Sequence, residues 1–362
     1  MDLKKIISKI TDTSKKVISK TDYLSNYLYL LDNISSAKNI GIIWHDKIDG
    51  DSLWSVLAMQ QWIKNKFPNK EVKSYTNRKY SSVFEFLSPD ILFWEDLKIH
   101  ENTDLLIIMD SADLNRLWKL YENNKEKIDK TYKVNIDHHI SNTKFWDINI
   151  VDASSPATAQ IVYEILKVFD IHPIAQMNTL KKWIDEKVAL YLLMWILTDT
   201  QNFTIPLAND KTLEIAANLI KLWADKQLLI NKIFLNKKME ELKLQGLVLD
   251  RIKKVEVNWT RYYYSYYLQE DLEKLWLDPE DSWVWRSLVS TLMQISDADF
   301  VCLWKIFEDE TTISFRSKEY DVNKLAKYFG WGGHKNASWV KFDKKIDYKE
   351  IEKLIFEGLN SL

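Results

Sequence analysis

The sequence predicts an α/β protein: an N-terminal domain on a mainly parallel sheet, a helical linker, and a C-terminal α+β domain. Three observations predict it. Short apolar runs suited to strands buried on both faces recur at Ile40–Ile43, Asp104–Met109 and Tyr132–Ile136, with helical periodicity between or after them. Each run gives way to acidic residues or histidine, which is where sites gather in open α/β sheets. Past residue 250 the texture changes to "KVEVNWTRYYYSYYLQ", a β-rich run that opens a separate α+β section.

The elements follow in order. An interrupted amphipathic pattern predicts a helix over 3–33. Ser154-Ser155-Pro156 supply a cap and a first-turn proline for the helix "ATAQIVYEILKVF". Further helices are expected at 183–197 and 210–223, and a long polar-rich one at 225–250 is the expected linker. The domains are therefore 1–224, 225–250 and 251–362. In the last of these, a helix at 284–294, strands "FVCLWKIFE" and "TISFRS", a helix "DVNKLAKYF" and a terminal helix from 348 complete the pattern.

Composition narrows the function. A chain of 362 residues has ample length for two cores. Its net charge of −2 creates no global basic field, so a polyanion must be held locally. The lone cysteine, Cys302, excludes an internal disulfide and a cysteine metal cluster, which suits a reducing cytoplasm. The longest apolar stretch, "VALYLLMWIL", is too short to span a bilayer, so a cytoplasmic protein without a membrane partner is expected.

One compositional feature is out of line. Glycine makes up about 7% of ordinary chains, whereas this one has 7 Gly and 16 Trp, together 23. Several tryptophans occupy glycine-like places, among them Trp44 and Trp54, Trp223 in "LIKLWADKQ", Trp276 in "KLWLDPED" and Trp331 in "FGWGGHKNASW". The expectation is that one codon, read here as tryptophan, means glycine in the source. The alternative is a genuinely tryptophan-rich protein.

The chemistry sits at the strand ends: His45, Asp49 and Asp51 after the first, Asp110 after the second, Asp137-His138-His139 after the third, and Asp199 after the buried "LYLLMWIL". Carboxylates and imidazoles without thiolates favour Mn²⁺, Mg²⁺ or Fe²⁺ over structural zinc. Even four carboxylates and two histidines from this set exceed one open site and suit two ions sharing a carboxylate, which activate a water and stabilise phosphoryl charge. Asp113 stays open between a partner to a ligand and a helix cap. "RYYYSYY" is expected as core rather than a base-stacking platform.

Taken in order, His45-x-x-x-Asp49-Gly50-Asp51, Asp110, Asp137-His138-His139 and Asp199, then Arg316-Ser317, Asp321 and Gly330-Trp331-Gly332-Gly333-His334 with Ala337-Ser338, resemble the motifs of the DHH/DHHA1 phosphoesterases. The resemblance runs from residue 20 to 360 and is nearest the stand-alone bacterial members that degrade very short RNA and dephosphorylate pAp. It departs at Ile48, usually Pro, and at Trp44, Trp54, Trp195, Trp331 and Trp339, usually Gly.

The resemblance implies two divalent ions, Mn²⁺ foremost with Mg²⁺ as alternative. His45, Asp49 and Asp110 would hold one, and Asp51, Asp110, His138 and Asp199 the other. Asp110, His138 and His139 are the implied catalytic residues. His139, Arg316, Gly332, Gly333 and His334 are the implied substrate contacts. Substrates would be short RNA, pAp, pApA or dinucleotides. A cyclic-di-AMP/pApA phosphodiesterase, an impaired nucleotide-binding protein if the tryptophans are real, and a homodimer remain open.

Overall fold

The computed structural model describes residues 17–45, 50–76, 80, 82–93, 97–139, 141–144, 146–171, 184–200, 202–204, 208–279 and 282–361. Asp49 and the start of the helix expected at 3–33 lie outside the described residues. The chain divides into two compact units, Met1–Tyr80 with Phe84–Asn231, and Ser81–Val83 with Lys232–Leu362.

The first unit contains α1 (Val17–Ser36), β1 (Asn39–Trp44), α2 (Gly50–Lys66), β2 (Glu71–Thr76), β3 (Leu92–Phe93) and β4 (Leu105–Met109). It continues with α3 (Trp118–Lys130), β5 (Tyr132–Asp137), β6 (Ile148–Val151), α4 (Thr158–Ile171), α5 (Glu186–Asp199) and α6 (Asp210–Lys221). The sheet order is β3-β2-β1-β4-β5-β6 and every pair is parallel. Three of the six strands match the apolar runs. β2, β3 and β6 add to them.

Both faces are covered, as a parallel sheet requires. Ile43, Leu106 and Ile108 pack with Leu117, Leu120 and Ile128 around α3, while α2 packs against α4 and α5. The strand order reverses between β1 and β4. That reversal opens a crevice at the carboxyl ends of these strands.

The boundary between the units falls where the sequence suggests one long helix. The structure has two instead, α7 (Lys226–Ile233) and α8 (Met239–Asp250). α8 is no simple linker, because its Leu244 and Val248 are buried in the second unit's core. Then come β7 (Lys253–Val257), β8 (Thr260–Leu268), α9 (Gln269–Leu275), α10 (Ser282–Leu292), β9 (Phe300–Ile306) and β10 (Thr311–Ser317). α11 (Val322–Tyr328), β11 (Gly332–His334), β12 (Ala337–Phe342) and α12 (Tyr348–Asn360) complete it.

The second sheet runs β11-β12-β10-β9-β8-β7, antiparallel except for the β8–β9 pair. The aromatic run is core. Tyr262 stacks on Phe300 with centroids 5.1 Å apart, and Tyr264 on Trp304 at 3.9 Å. Tyr263 and Tyr267 point to the opposite face, against α8, α9 and α10, as a period of two dictates.

Three tryptophans adopt left-handed backbone conformations: Trp223 at φ 71°, Trp259 at 66° and Trp276 at 54°. Trp223 and Trp276 end α6 and α9 with paired capping bonds, Trp223 N–H to Ile220 O and Ala224 N–H to Leu219 O in one case, Trp276 N–H to Glu273 O and Leu277 N–H to Leu272 O in the other. This is the Schellman arrangement, whose left-handed position is usually glycine. Trp259 follows Asn258, at φ 49°, in the two-residue hairpin loop joining β7 to β8. Two positive φ values there favour Asn-Gly.

Burial does not compensate, since these side chains are 81%, 92% and 94% exposed. Trp44, Trp54 and Trp195 are buried instead, and their indole N–H groups have no hydrogen-bond partner among the described residues. Each such group costs about 1–3 kcal/mol.

A left-handed conformation costs an L-residue about 1–2 kcal/mol, partly offset by the extra unfolded-state freedom of glycine. Trp223→Gly, Trp259→Gly and Trp276→Gly should therefore each raise the free energy of unfolding by about 0.5–1 kcal/mol. Urea titration measures this, and a lower midpoint in all three variants would contradict the backbone argument.

Candidate metal and phosphate site

The site grows out of three adjacent strand ends. β1 stops at Trp44 and delivers His45; β4 stops at Met109 and delivers Asp110; β5 ends on Asp137, followed by His138 and His139. Asp110 has φ 54°, an uncommon conformation for a non-glycine residue, and its N–H bonds to Ile136 O at 2.9 Å. The left-handed turn swings the chain out of the sheet at the β1/β4 switch.

The side chains converge there. His45 Nε2 lies 3.2 Å from Asp110 Oδ2. His138 Nε2 faces two carboxylates, 3.6 Å from Asp110 Oδ1 and 3.7 Å from Asp51 Oδ2. Asp110, His138 and His139 each bring a ligand atom within 4.8 Å of one another. Asp51 and Asp110 are both buried.

Asp51 does a second job that the sequence conceals. Its Oδ2 accepts from Thr158 N–H at 2.7 Å and its Oδ1 from Ala159 N–H at 2.9 Å. It therefore caps α4 from another element and satisfies two otherwise unpaired amides at the positive end of the helix dipole. The expected cap from Ser154 and Ser155 is not formed. Ser154 turns to Asp152 and the Ser155 hydroxyl donates to Ala157 O at 3.0 Å. Thr158 also donates its hydroxyl to Asp110 Oδ1 at 3.0 Å, so one residue ties both carboxylates.

The two histidines of the third motif have different surroundings. His139 Nε2 sits 2.9 Å from Arg116 Nη1, and its Nδ1 sits 2.7 Å from Asp137 Oδ1. Arginine only donates. Nε2 is therefore the acceptor, and Nδ1 carries the proton given to Asp137. His138 instead presents Nε2 to Asp51 and Asp110, with Nδ1 3.4 Å from Ser155 O. A backbone carbonyl behind one ring nitrogen is the usual way to aim the other at a metal.

Asp137 is fully buried and also accepts from Asn142 Nδ2 at 2.6 Å. Burial opposes its charge, but the hydrogen bonds from His139 and Asn142 and the nearby imidazoles hold its carboxyl below the usual range. For His138, burial works against protonation, yet Asp51, Asp110 and Asp137 outweigh it and raise its pKa. The pocket thus attracts positive charge, and its oxygen and nitrogen donors suit a divalent ion.

Two other expected residues stand differently. Asp199 is half-buried at the last residue of α5, the helix packed on α2, which carries Asp51. Asp113 resolves as a turn cap, accepting from Asn115 N–H at 2.9 Å and Arg116 N–H at 3.2 Å.

In the second unit, Arg316 and His334 occupy one rung of three strands, since both pair with Ala337 of β12. Arg316 Nη1 donates to Phe315 O at 2.9 Å. The glycine-rich segment commits its first two amides to a helix end. Gly330 N–H bonds to Lys327 O and Trp331 N–H to Ala326 O, closing α11 in a Schellman motif with Gly330 at φ 79°. Gly333 is needed for close approach, because a Cβ there would lie 2.5 Å from Ala337 O.

Sequence reasoning missed Arg116 and Thr158. Arg116 had a signal, as a cation three residues after a capping aspartate beside Asp110. Thr158 had none, since its partners are 107 and 48 residues away.

Comparison with known proteins fits this geometry. Residues 39–196 match the DHH family N-terminal domain and residues 280–360 match the DHHA1 domain. The chain is a DHH/DHHA1 protein. It is 26% identical over 313 residues to the bifunctional oligoribonuclease and PAP phosphatase NrnA of Bacillus subtilis, covering 85% of this chain and 91% of that one. An exopolyphosphatase-related protein from Bacteroides fragilis shares the fold, with a TM-score of 0.79, 22% identity and coverage of 96% and 98%. RecJ from Thermus thermophilus, solved with Mn²⁺, matches at TM-score 0.52 and 13% identity over 94% of this chain and 55% of RecJ. Among the described residues of this DHH/DHHA1 protein, no helix is long and apolar enough to cross a membrane.

The dual role of Asp51 has a measurable consequence. In EDTA, Asp51→Ala should lower unfolding free energy by about 1–2 kcal/mol through the lost cap, while Asp51→Asn, which keeps one amide acceptor, should lose less. Equal stability of Asp51→Ala and the parent in urea would remove the capping role.

Proposed function

We propose that this protein is a divalent-metal-dependent phosphoesterase that hydrolyses short oligoribonucleotides and removes the 3′-phosphate of pAp. The observation that carries the reading is the convergence of His45, Asp51, Asp110 and His138 at the β1/β4 switch. The similarity to the Bacillus subtilis oligoribonuclease and PAP phosphatase supports the substrate class.

His45, Asp49 and Asp110 would hold one ion, and Asp51, Asp110, His138 and Asp199 the second, with Asp110 shared; Mn²⁺ is the favoured metal and Mg²⁺ the alternative. Such ions lower the pKa of water and stabilise charge on a phosphoryl group. The chain's own groups do the rest. Thr158 orients Asp110 through its hydroxyl and Asp51 through its N–H. Asp137 fixes the ring of His139, which is assigned to the phosphate side of the site. Arg316 offers a fork suited to a second phosphate, and His334 with Gly332 and Gly333 completes the nucleotide contacts assigned to the second unit.

Turnover with Mn²⁺ tests this directly: pAp should release phosphate and pApA should release AMP, with cyclic-di-AMP as the comparison substrate. Asp110→Asn should reduce both rates beyond the roughly 10–100-fold that outer-sphere partners are worth, and weaken binding of both ions. Near-parental turnover with two ions bound would sink the assignment. Arg316→Ala should raise KM about tenfold or more, the value of a charge-assisted hydrogen bond, with metal content unchanged. Loss of metal in that variant would overturn the division of roles between the units.

A further inference from the structure

Arg116 is half-exposed and enters no step above, although it stands one imidazole ring from the carboxylate cluster. Its backbone N–H is held by Asp113 Oδ1, and its Nε lies 4.0 Å from Asp113 Oδ2, so the side chain leaves a fixed turn. Nη1 donates to His139 Nε2, and among the described residues this is the only hydrogen bond of the guanidinium. Behind the imidazole, Asp137 takes the Nδ1 proton and Asn142 braces Asp137. This chain of hydrogen bonds makes His139 an acceptor aimed at an arginine.

We propose that Arg116 is a substrate-binding residue that grips the reacting phosphate within the catalytic unit, and that His139 holds it ready. Among the described residues the guanidinium has a single hydrogen bond, to an imidazole nitrogen, and a long 4.0 Å ion pair with half-exposed Asp113, whereas phosphate oxygens accept charge-assisted, bidentate hydrogen bonds of about twice the strength. A phosphate arriving at the Nε2 side of His139 meets the guanidinium there. The assignment rests on the phosphoesterase reading for its catalytic consequence, but the phosphate contact can be measured without catalysis.

Full-length protein with Mn²⁺ is treated with phenylglyoxal, and modification of Arg116 is followed by peptide mass spectrometry with and without inorganic phosphate. Phosphate should slow modification of Arg116 about tenfold, in line with a charge-assisted fork. Arg116→Ala should raise KM for pAp by a similar factor with metal content unchanged, and added guanidinium ion should recover part of the loss. Arg116→Lys should fall between the two. A modification rate indifferent to phosphate, or Arg116→Ala kinetics equal to the parent, overturns the proposal. Protection of Arg116 in a protein that turns over neither pAp nor pApA would instead overturn the nucleotide assignment and leave the phosphate contact standing.

The tryptophans carry an independent inference. Three of them occupy left-handed positions of glycine-dominated motifs while almost fully exposed, and Trp44, Trp54 and Trp195 are among six tryptophans whose buried indole N–H groups have no hydrogen-bond partner among the described residues. We infer that the codon behind them is read as glycine in the source organism, so that the native chain has Gly at 223, 259 and 276 and at 44, 54, 195, 331 and 339. Peptide mass spectrometry of the protein from its native source decides it. Each peptide should be lighter by the difference between an indolylmethyl group and a hydrogen. Intact tryptophan at 223, 259 and 276 overturns the inference.

Discussion

Asp51 and Asp110 are both buried, and both face Nε2 of His138. Two carboxylates withdrawn from water around one imidazole repel each other and lose hydration, so the surrounding structure must supply compensating donors. It does so from several elements. The amides of Thr158 and Ala159 serve Asp51, the Thr158 hydroxyl and His45 serve Asp110, and His138 is drawn toward protonation. The start of α4, the left-handed turn at Asp110 and the reversal of strand order all serve this one electrostatic problem. A divalent ion answers it more completely than a proton, which is why the geometry reads as a metal site.

The parts legible in the sequence were those encoded locally. β1 and β4 are largely continuous apolar runs and β5 alternates apolar with polar residues, and each leads into ligand-type residues, so both the strands and the position of His45, Asp110 and His138 at their ends could be read from spacing. β2 was concealed by Glu71 and Lys73 at its exposed start, and β3 has only two residues. The break between α7 and α8 falls in "FLNKK", which contains neither Gly nor Pro to announce it. Capping of α4 was misread for a related reason. A local Ser-Ser-Pro motif competes with a distant carboxylate, and only tertiary structure shows that the carboxylate wins.

The glycine-rich segment shows how a motif can be correctly located yet physically reinterpreted. Its first two amides terminate α11 and the next residues form β11, so Gly330 supplies a left-handed turn and Gly333 a close backbone approach. Those constraints place the backbone of His334 on the same rung as Arg316. The first two amides of the segment thus serve the helix end, and its later residues serve strand pairing. Trp331 fits this picture poorly, since its ring goes to Trp339, with centroids 4.6 Å apart, rather than to any element of the turn.

The third motif owes its division of labour to the period of a strand. Residues two apart share a face, so Asp137 and His139 meet at 2.7 Å as the chain leaves β5. His138, between them, turns its Nε2 to Asp51 as well as Asp110, while Nδ1 of His139 lies 3.6 Å from Asp110 but 2.7 Å from Asp137. An aspartate followed by two histidines therefore yields two imidazoles with different tasks. One faces the acidic cluster with its second nitrogen backed by a carbonyl; the other is oriented by a carboxylate and turned toward a cation. Exchanging the order of the three residues would preserve composition and destroy both arrangements, because the spacing that sets Asp137 behind His139 and leaves His138 to face Asp51 and Asp110 would be lost.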